Sequence, residues 1–339
     1  MVPRCRVGSA LIAVTATFAL ITVLLNSAFL TPVAATMHNF YAPSAIAACD
    51  GKLWVTNNSG DSVTELDASD GVVLRVIENH GGDLIAPLAI AAAGSHVWVV
   101  SSSPSQLTEL NASNGRLIRV IRAASDKLDS PTAIAVGGSH IWVANYNGNS
   151  VTELNLSNGS LVRVINAPVD ALDQPLGIAA NRHFVLVANY SGNSVTELNA
   201  TNGSLVRVWS DSTYGLLGPT AVALSASDAW ITDAIGDSVT EVNVANGSLL
   251  GVLANGADGF NYPNALVVGR HYLWVTNGGG NSVTQLNLSD DSLVQVIDQQ
   301  FDNPDGIAIG GRFTYVANYG NDSVTLLNAS TGLLEATIR

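Results

Sequence analysis

The sequence predicts an all-β fold: a seven-bladed β-propeller of four-stranded antiparallel blades. Three observations carry that expectation. A landmark proline recurs at Pro43, Pro87, Pro131, Pro175, Pro219, Pro263 and Pro304, with spacings of 44 residues five times and then 41. A second landmark follows each proline by 14 residues, at Asn57, Ser101, Asn145, Asn189, Asp233, Asn277 and Asn318. Every unit holds four short β-like segments separated by turn residues, and four strands at this period make a propeller blade.

The third unit shows the elements in order. Strand a is "AIAV" (133–136) and strand b is "IWVAN" (141–145). Strand c is "SVTELN" (150–155) and strand d is "LVRVI" (161–165). The segments are rich in β-branched and aromatic residues, and "GGS", "YNGN" and "LSNG" divide them. Between c and d lie Asp70-Gly71, Asn114-Gly115, Asn158-Gly159, Asn202-Gly203 and Asn246-Gly247. These dipeptides favour tight hairpins. Strand c carries Glu65, Glu109, Glu153 and Glu197, and ten residues later strand d carries Arg75, Arg119, Arg163 and Arg207. The pair becomes Gln285 and Gln295 in the sixth unit, then Leu326 and Ala336 in the seventh. Positions that change together are expected to face each other across the c–d hairpin. The fifth unit, Glu241 with Gly251, breaks the pattern. The first unit begins with strand a and the last ends with strand d, so closure is expected to rest on packing between blades 7 and 1.

The propeller is expected over 36–339. Before it, Arg4 and Arg6 precede an uncharged, largely apolar run from 7 to 35 that ends in "VAA". This reads as an export signal over 1–35, either a cleaved signal peptide or an uncleaved anchor. Both readings place the remainder outside the cytoplasm, secreted or at the cell surface. That remainder has 12 basic and 27 acidic residues, a net charge of −15. Such a balance argues against nucleic-acid binding, which needs clustered Lys and Arg. Cys49 is the only cysteine after position 35, so an internal disulfide is not expected there.

The strand-b motifs "WVTN" (54–57 and 274–277), "WVAN" (142–145) and "YVAN" (315–318) precede segments like "GNSVTELN". They resemble the YVTN β-propeller repeat family and, more broadly, NHL-repeat and streptogramin-lyase-like propellers, over about residues 42–339. The resemblance implies a secreted or cell-surface seven-bladed propeller. It leaves function open, because such scaffolds host binding modules, surface-layer proteins, lyases and lactonases. Streptogramin lyases use a histidine and a bound magnesium at the propeller's top. Their catalytic motif has no residue-by-residue counterpart here.

In an up-and-down blade the d–a and b–c loops share one face, here termed the top. The d–a loops vary most between units, and what varies on a repeated scaffold is where a site is placed. His80 lies in such a loop and is the candidate catalytic histidine. His96, His140, His183 and His271 recur in the a–b turns of the bottom face and read as structural. Trp54, Trp98, Trp142, Trp230 and Trp274 form one strand-b column, read as core between blades. Tyr146, Tyr190 and Tyr319 open b–c loops at the top and are candidate ligand-binding residues. The residue after each landmark proline is expected near the central channel: Ser44, Leu88, Thr132, Leu176, Thr220, Asn264 and Asp305. Asn264 and Asp305, with Asp302 just before, are the candidate oxygen ligands for Ca2+ or Mg2+. Asn-x-Ser/Thr triplets recur at 11 positions, including Asn57 and Asn189, and mark turns that serve as glycan acceptors only in a source with that machinery.

The expected function is a non-catalytic, exported binding module whose top face takes an extracellular protein, a glycan or a small molecule. Two alternatives stand beside it. One is a metal-assisted lyase or lactonase using His80, Asp305 and Asn264. The other is a surface-layer structural component. Membrane contact is expected only through an N-terminal anchor.

Overall fold

The computed structural model describes residues 39–122, 127–210, 213–254 and 256–339. Residues 1–35, where an export signal is expected, lie outside the described residues. The described residues form seven four-stranded antiparallel sheets, each in the order a-b-c-d. Blade 1 is Pro43–Cys49, Lys52–Asn57, Ser62–Asp67 and Val73–Glu78. Blade 7 is Pro304–Gly310, Phe313–Asn318, Ser323–Asn328 and Leu334–Ile338. Strand a of each blade touches strand a of the next, and that of blade 1 touches that of blade 7, so the a strands line the centre. No described blade borrows a strand from another terminus.

The register bears out the co-changing pairs. Glu65 faces Arg75, Glu109 faces Arg119, Glu153 faces Arg163 and Glu197 faces Arg207. Glu241 faces Gly251, Gln285 faces Gln295 and Leu326 faces Ala336. Each of the first four glutamates is fully buried and ion-paired to its arginine Nε, at 2.6, 2.6, 2.6 and 3.0 Å. The start of strand b adds a second base: Lys52 to Glu65 at 2.5 Å and His96 to Glu109 at 2.5 Å. His140 stands 3.6 Å from Glu153. These bottom-face histidines are therefore partners of buried carboxylates.

The strand-b column packs between blades as expected. Trp54 shares a cluster with Val97 and Val99 of blade 2, and Trp142 with Val185 and Val187 of blade 4. Tyr315 of blade 7 packs with Leu53 and Val55 of blade 1, which closes the ring through its core. In blade 4 the column holds only Leu186, and Trp209 of strand d joins the same cluster.

Two further networks explain the rest of the repeated phrase. The amide of Asn145 donates to Ser150 and Thr152 at 3.2 and 2.9 Å, and copies of this triad recur at Asn57, Asn189, Asn277 and Asn318. The threonine hydroxyl then donates to a carbonyl of its own blade's entering loop, as Thr196 does to Asp170 at 2.8 Å. A second link ties neighbouring blades. Asn149, in a left-handed b–c loop position, accepts the Gln174 N–H of the next blade at 2.7 Å. Asp61, Asn193, Asp237 and Asn281 accept equivalent N–H groups. Asp322 accepts from Ala42 at 2.6 Å, so the same latch joins blade 7 to blade 1.

Cys49 is the only cysteine among the described residues, so no disulfide links two of them; Cys5 lies outside the described residues.

Candidate functional site

The site is built by a bulge that recurs in every blade. Pairing of strand a with strand b slips by one residue just after the landmark proline. The extra residue is Ser44, Leu88, Thr132, Leu176, Thr220, Asn264 or Asp305. A bulge leaves its residue out of the ladder and re-aims the side chain. The predicted channel column is thus the bulge column. Ser44, Thr132 and Thr220 turn their hydroxyls to the next blade's first carbonyl, at 3.2, 3.0 and 3.1 Å.

Two more columns surround the bulge on the top face. One is the residue after strand b: Asn58, Ser102, Tyr146, Tyr190, Ala234, Gly278 and Tyr319. The other precedes the proline: Ala42, Ala86, Ser130, Gln174, Gly218, Tyr262 and Asn303. All seven pre-proline residues have left-handed backbones. Their N–H groups are held by the inter-blade latches, with Ser105 Oγ serving for Ser130 at 2.9 Å. The three columns differ from blade to blade, whereas the networks beneath them repeat.

The mouth residues converge between blades 3 and 7. The Tyr262 hydroxyl lies near Tyr190, and Asp305 and Tyr146 lie within electrostatic reach. Burial first, then Tyr190 and the other nearby groups, holds the Tyr262 phenol above its ordinary range. Blade 5 places only Gly218 and Ala234 in these two columns. Their small size lets Tyr190 of blade 4 meet Tyr262 of blade 6. The Tyr146 hydroxyl donates to Gln174 Oε1 at 2.8 Å, and Ser191 donates to the same oxygen. Asn264 Nδ2 donates to Asp305 Oδ1 at 3.0 Å, and Asn264 Oδ1 accepts from Thr276 at 2.8 Å. Burial pushes the Asp305 carboxyl up to about 6, opposed by the Asn264 hydrogen bond.

Of the predicted site residues, Tyr146, Tyr190, Asn264 and Asp305 belong to this mouth. Tyr319 is tied there by its backbone, donating to the Asn303 carbonyl at 3.1 Å. Asp302 lies against Gly320 of blade 7's own b–c loop. His80 stands apart. It is exposed beside the outermost strands of blades 1 and 2, in a groove of about 390 Å³ shared with Arg75, Asp83, Asn114 and Arg116. Its loop is pinned by Asp83, whose carboxylate accepts the His80 N–H at 2.7 Å. Tyr262 and Gln174 were not among the predicted residues.

The donor set does not fit a Ca2+ or Mg2+ ion. Asn264 turns its amide nitrogen, not its oxygen, toward Asp305, and its oxygen is engaged by Thr276. Among the described residues no group of three or more His, Cys, Asp or Glu is placed to hold a metal. The triplets at Asn57 and Asn189 are fully buried, so those side chains are core and not acceptors.

No protein-family model matches the chain, and no curated protein matches it. Solved structures do. A streptogramin B lyase superposes with a TM-score of 0.69 at 16% identity, covering 83% of this chain and 92% of that one. Virginiamycin B lyase from Staphylococcus aureus gives 0.71 at 16%, covering 84% and 94%. Kuenenia stuttgartiensis hydrazine synthase gives 0.66 at 17%, covering 89% and 100%. At these identities the likeness is one of fold: the chain is a seven-bladed β-propeller structurally similar to these proteins.

Proposed function

We propose that the protein is an exported, non-catalytic binding module whose ligand sits on the channel mouth. Tyr146, Tyr190 and Tyr262 form the contact surface, with Gln174, Asn264 and Asp305 at its polar rim. The observation that carries the reading is the convergence of these side chains from separate blades, on columns that vary while the scaffold repeats. Rigid aromatic surface with a few placed polar groups suits a small molecule or a glycan. The finer family assignment to YVTN-type propellers, and placement outside the cell through segment 1–35, belong to the same proposal. The lyase alternative draws on likeness of fold alone, and fold does not fix chemistry.

The test is a thermal-shift screen of the full chain against soluble oligosaccharides and small amphipathic molecules. A ligand of the native state raises the midpoint in a saturable way. The reading expects a hit whose affinity falls about tenfold or more in Tyr190→Ala and Tyr262→Ala. Hits indifferent to both substitutions would overturn it.

A further inference from the structure

A second site lies on the opposite face, where blade 5 departs from its neighbours. In blades 1 to 4 the buried strand-c glutamate holds a guanidinium from strand d. That arginine also lies over the next blade's c–d turn. Arg75 donates to the Ser113 carbonyl at 3.4 Å, and Arg119 donates to the Asn158 carbonyl. The turn glycines make room for it: a Cβ on Gly115 would come within 3.2 Å of Arg75 Cδ, and one on Gly203 within 2.8 Å of Arg163 Cδ.

Blade 5 keeps the glutamate and loses every cation. Glu241 is 8% exposed and faces Gly251. A Cβ built on Gly251 meets no atom within 4 Å, so the point where the arginine side chain starts in the sister blades is open here. The strand-b position that holds Lys52, His96 and His140 elsewhere is Asp228. The following turn replaces Asn-Gly with Asp290-Asp291. Asp291 lies against Glu241, and burial first, then Asp291 and Asp228, raise the Glu241 pKa. Asn243 Nδ2 donates to Asp228 at 3.3 Å, but no basic side chain is paired with these carboxylates among the described ion pairs. Four sister sites in the same molecule hold a guanidinium against the equivalent glutamate, over a turn glycine where this site has the acidic Asp291.

We infer that the cleft between blades 5 and 6, at Glu241, Asp228 and Asp291 beside Gly251, receives an arginine side chain from a polypeptide partner. The planar fork of a guanidinium bridges a carboxylate and a turn carbonyl together, which a point charge does not. This site is separate from the channel mouth and stands independently of the function proposed there.

The experiment compares two capped tripeptides, Gly-Arg-Gly and Gly-citrulline-Gly, by thermal shift and calorimetric titration on the full chain. Citrulline keeps the shape and removes the charge. The arginine peptide is expected to bind saturably and the citrulline peptide about tenfold more weakly or not at all. Gly251→Arg, which supplies the missing side chain from within, is expected to raise Tm and abolish peptide binding. Glu241→Gln, which keeps the shape, is expected to lose binding as well. Equal binding of both peptides, retained binding in Gly251→Arg, or a fall in Tm on that substitution would each overturn the inference. So would a midpoint shift with CaCl2, but not with the arginine peptide, that vanishes in Gly251→Arg.

Discussion

The interior of the blades and the mouth of the channel are only a few residues apart in sequence, yet they obey opposite rules. Asn189 is buried and bonded to Ser194 and Thr196, and the same triad recurs in five blades. Tyr190, the next residue, is partly exposed, reaches toward Tyr262 of another blade, and has no counterpart in four of the seven units. Where copies agree, the side chain satisfies a buried partner within the scaffold. In the columns of the top face where they differ, it looks into the channel mouth. Repetition therefore separates the scaffold from the variable mouth without reference to any other protein.

The sharpest way to break this comparison is to damage a repeated position. Trp142→Ala removes a fully buried ring between blades 3 and 4. It is expected to cost about 3–5 kcal/mol in denaturant unfolding. A cost below about 1 kcal/mol would show that the column is not the core described above.

Asp233 tests the same rule from a lapse in it. It occupies the repeated asparagine position, fully buried, accepting from Thr240 at 2.9 Å and Ser238 at 3.5 Å. Burial pushes its carboxyl up to about 7, against these hydrogen bonds. The folded protein thus holds a proton that the unfolded chain releases near the ordinary carboxylate value. Its stability is greatest at low pH on this account and falls as pH rises from about 4 to 7. Asp233→Asn is expected to stabilise the ring by about 1–3 kcal/mol at pH 8 and to change little at pH 4. Equal effects at the two values would contradict the assignment.

A smaller effect is expected at the seam. Asp322→Ala removes the latch to the Ala42 N–H that joins the last blade to the first. The loss is expected to be about 1–2 kcal/mol, with faster hydrogen exchange in blades 1 and 7 than in blade 4. Uniform exchange across the blades would mean that closure rests on the Tyr315 cluster alone.

Much of this was legible in the sequence. The Glu–Arg pairs and their joint replacement by Gln285–Gln295 fixed the c–d register, because cross-strand neighbours must change together. The mouth was only half legible. Tyr146 and Tyr190 follow a repeated asparagine, so their position could be read. Tyr262 and Gln174 sit before the landmark proline inside loops of irregular composition. Aligning that single column would have exposed them. The bulge that aims Asn264 and Asp305 leaves no mark on a period of 44, since it recurs in every unit. The cleft at Gly251 was visible as a missing partner, but Asp291 enters it from the next blade's turn, a contact that only the ring creates.

The most direct test of the division between scaffold and mouth is the unfolding free energy of the triple variant Tyr146→Ala, Tyr190→Ala, Tyr262→Ala. These side chains are partly exposed and lie outside the repeated networks, so the total loss is expected to stay within about 1.5 kcal/mol, the sum of ordinary surface changes. A loss of 3 kcal/mol or more, about that of a core aromatic, would make the tyrosines structural covers of the blade ends. The channel mouth would then have no claim to be the binding surface.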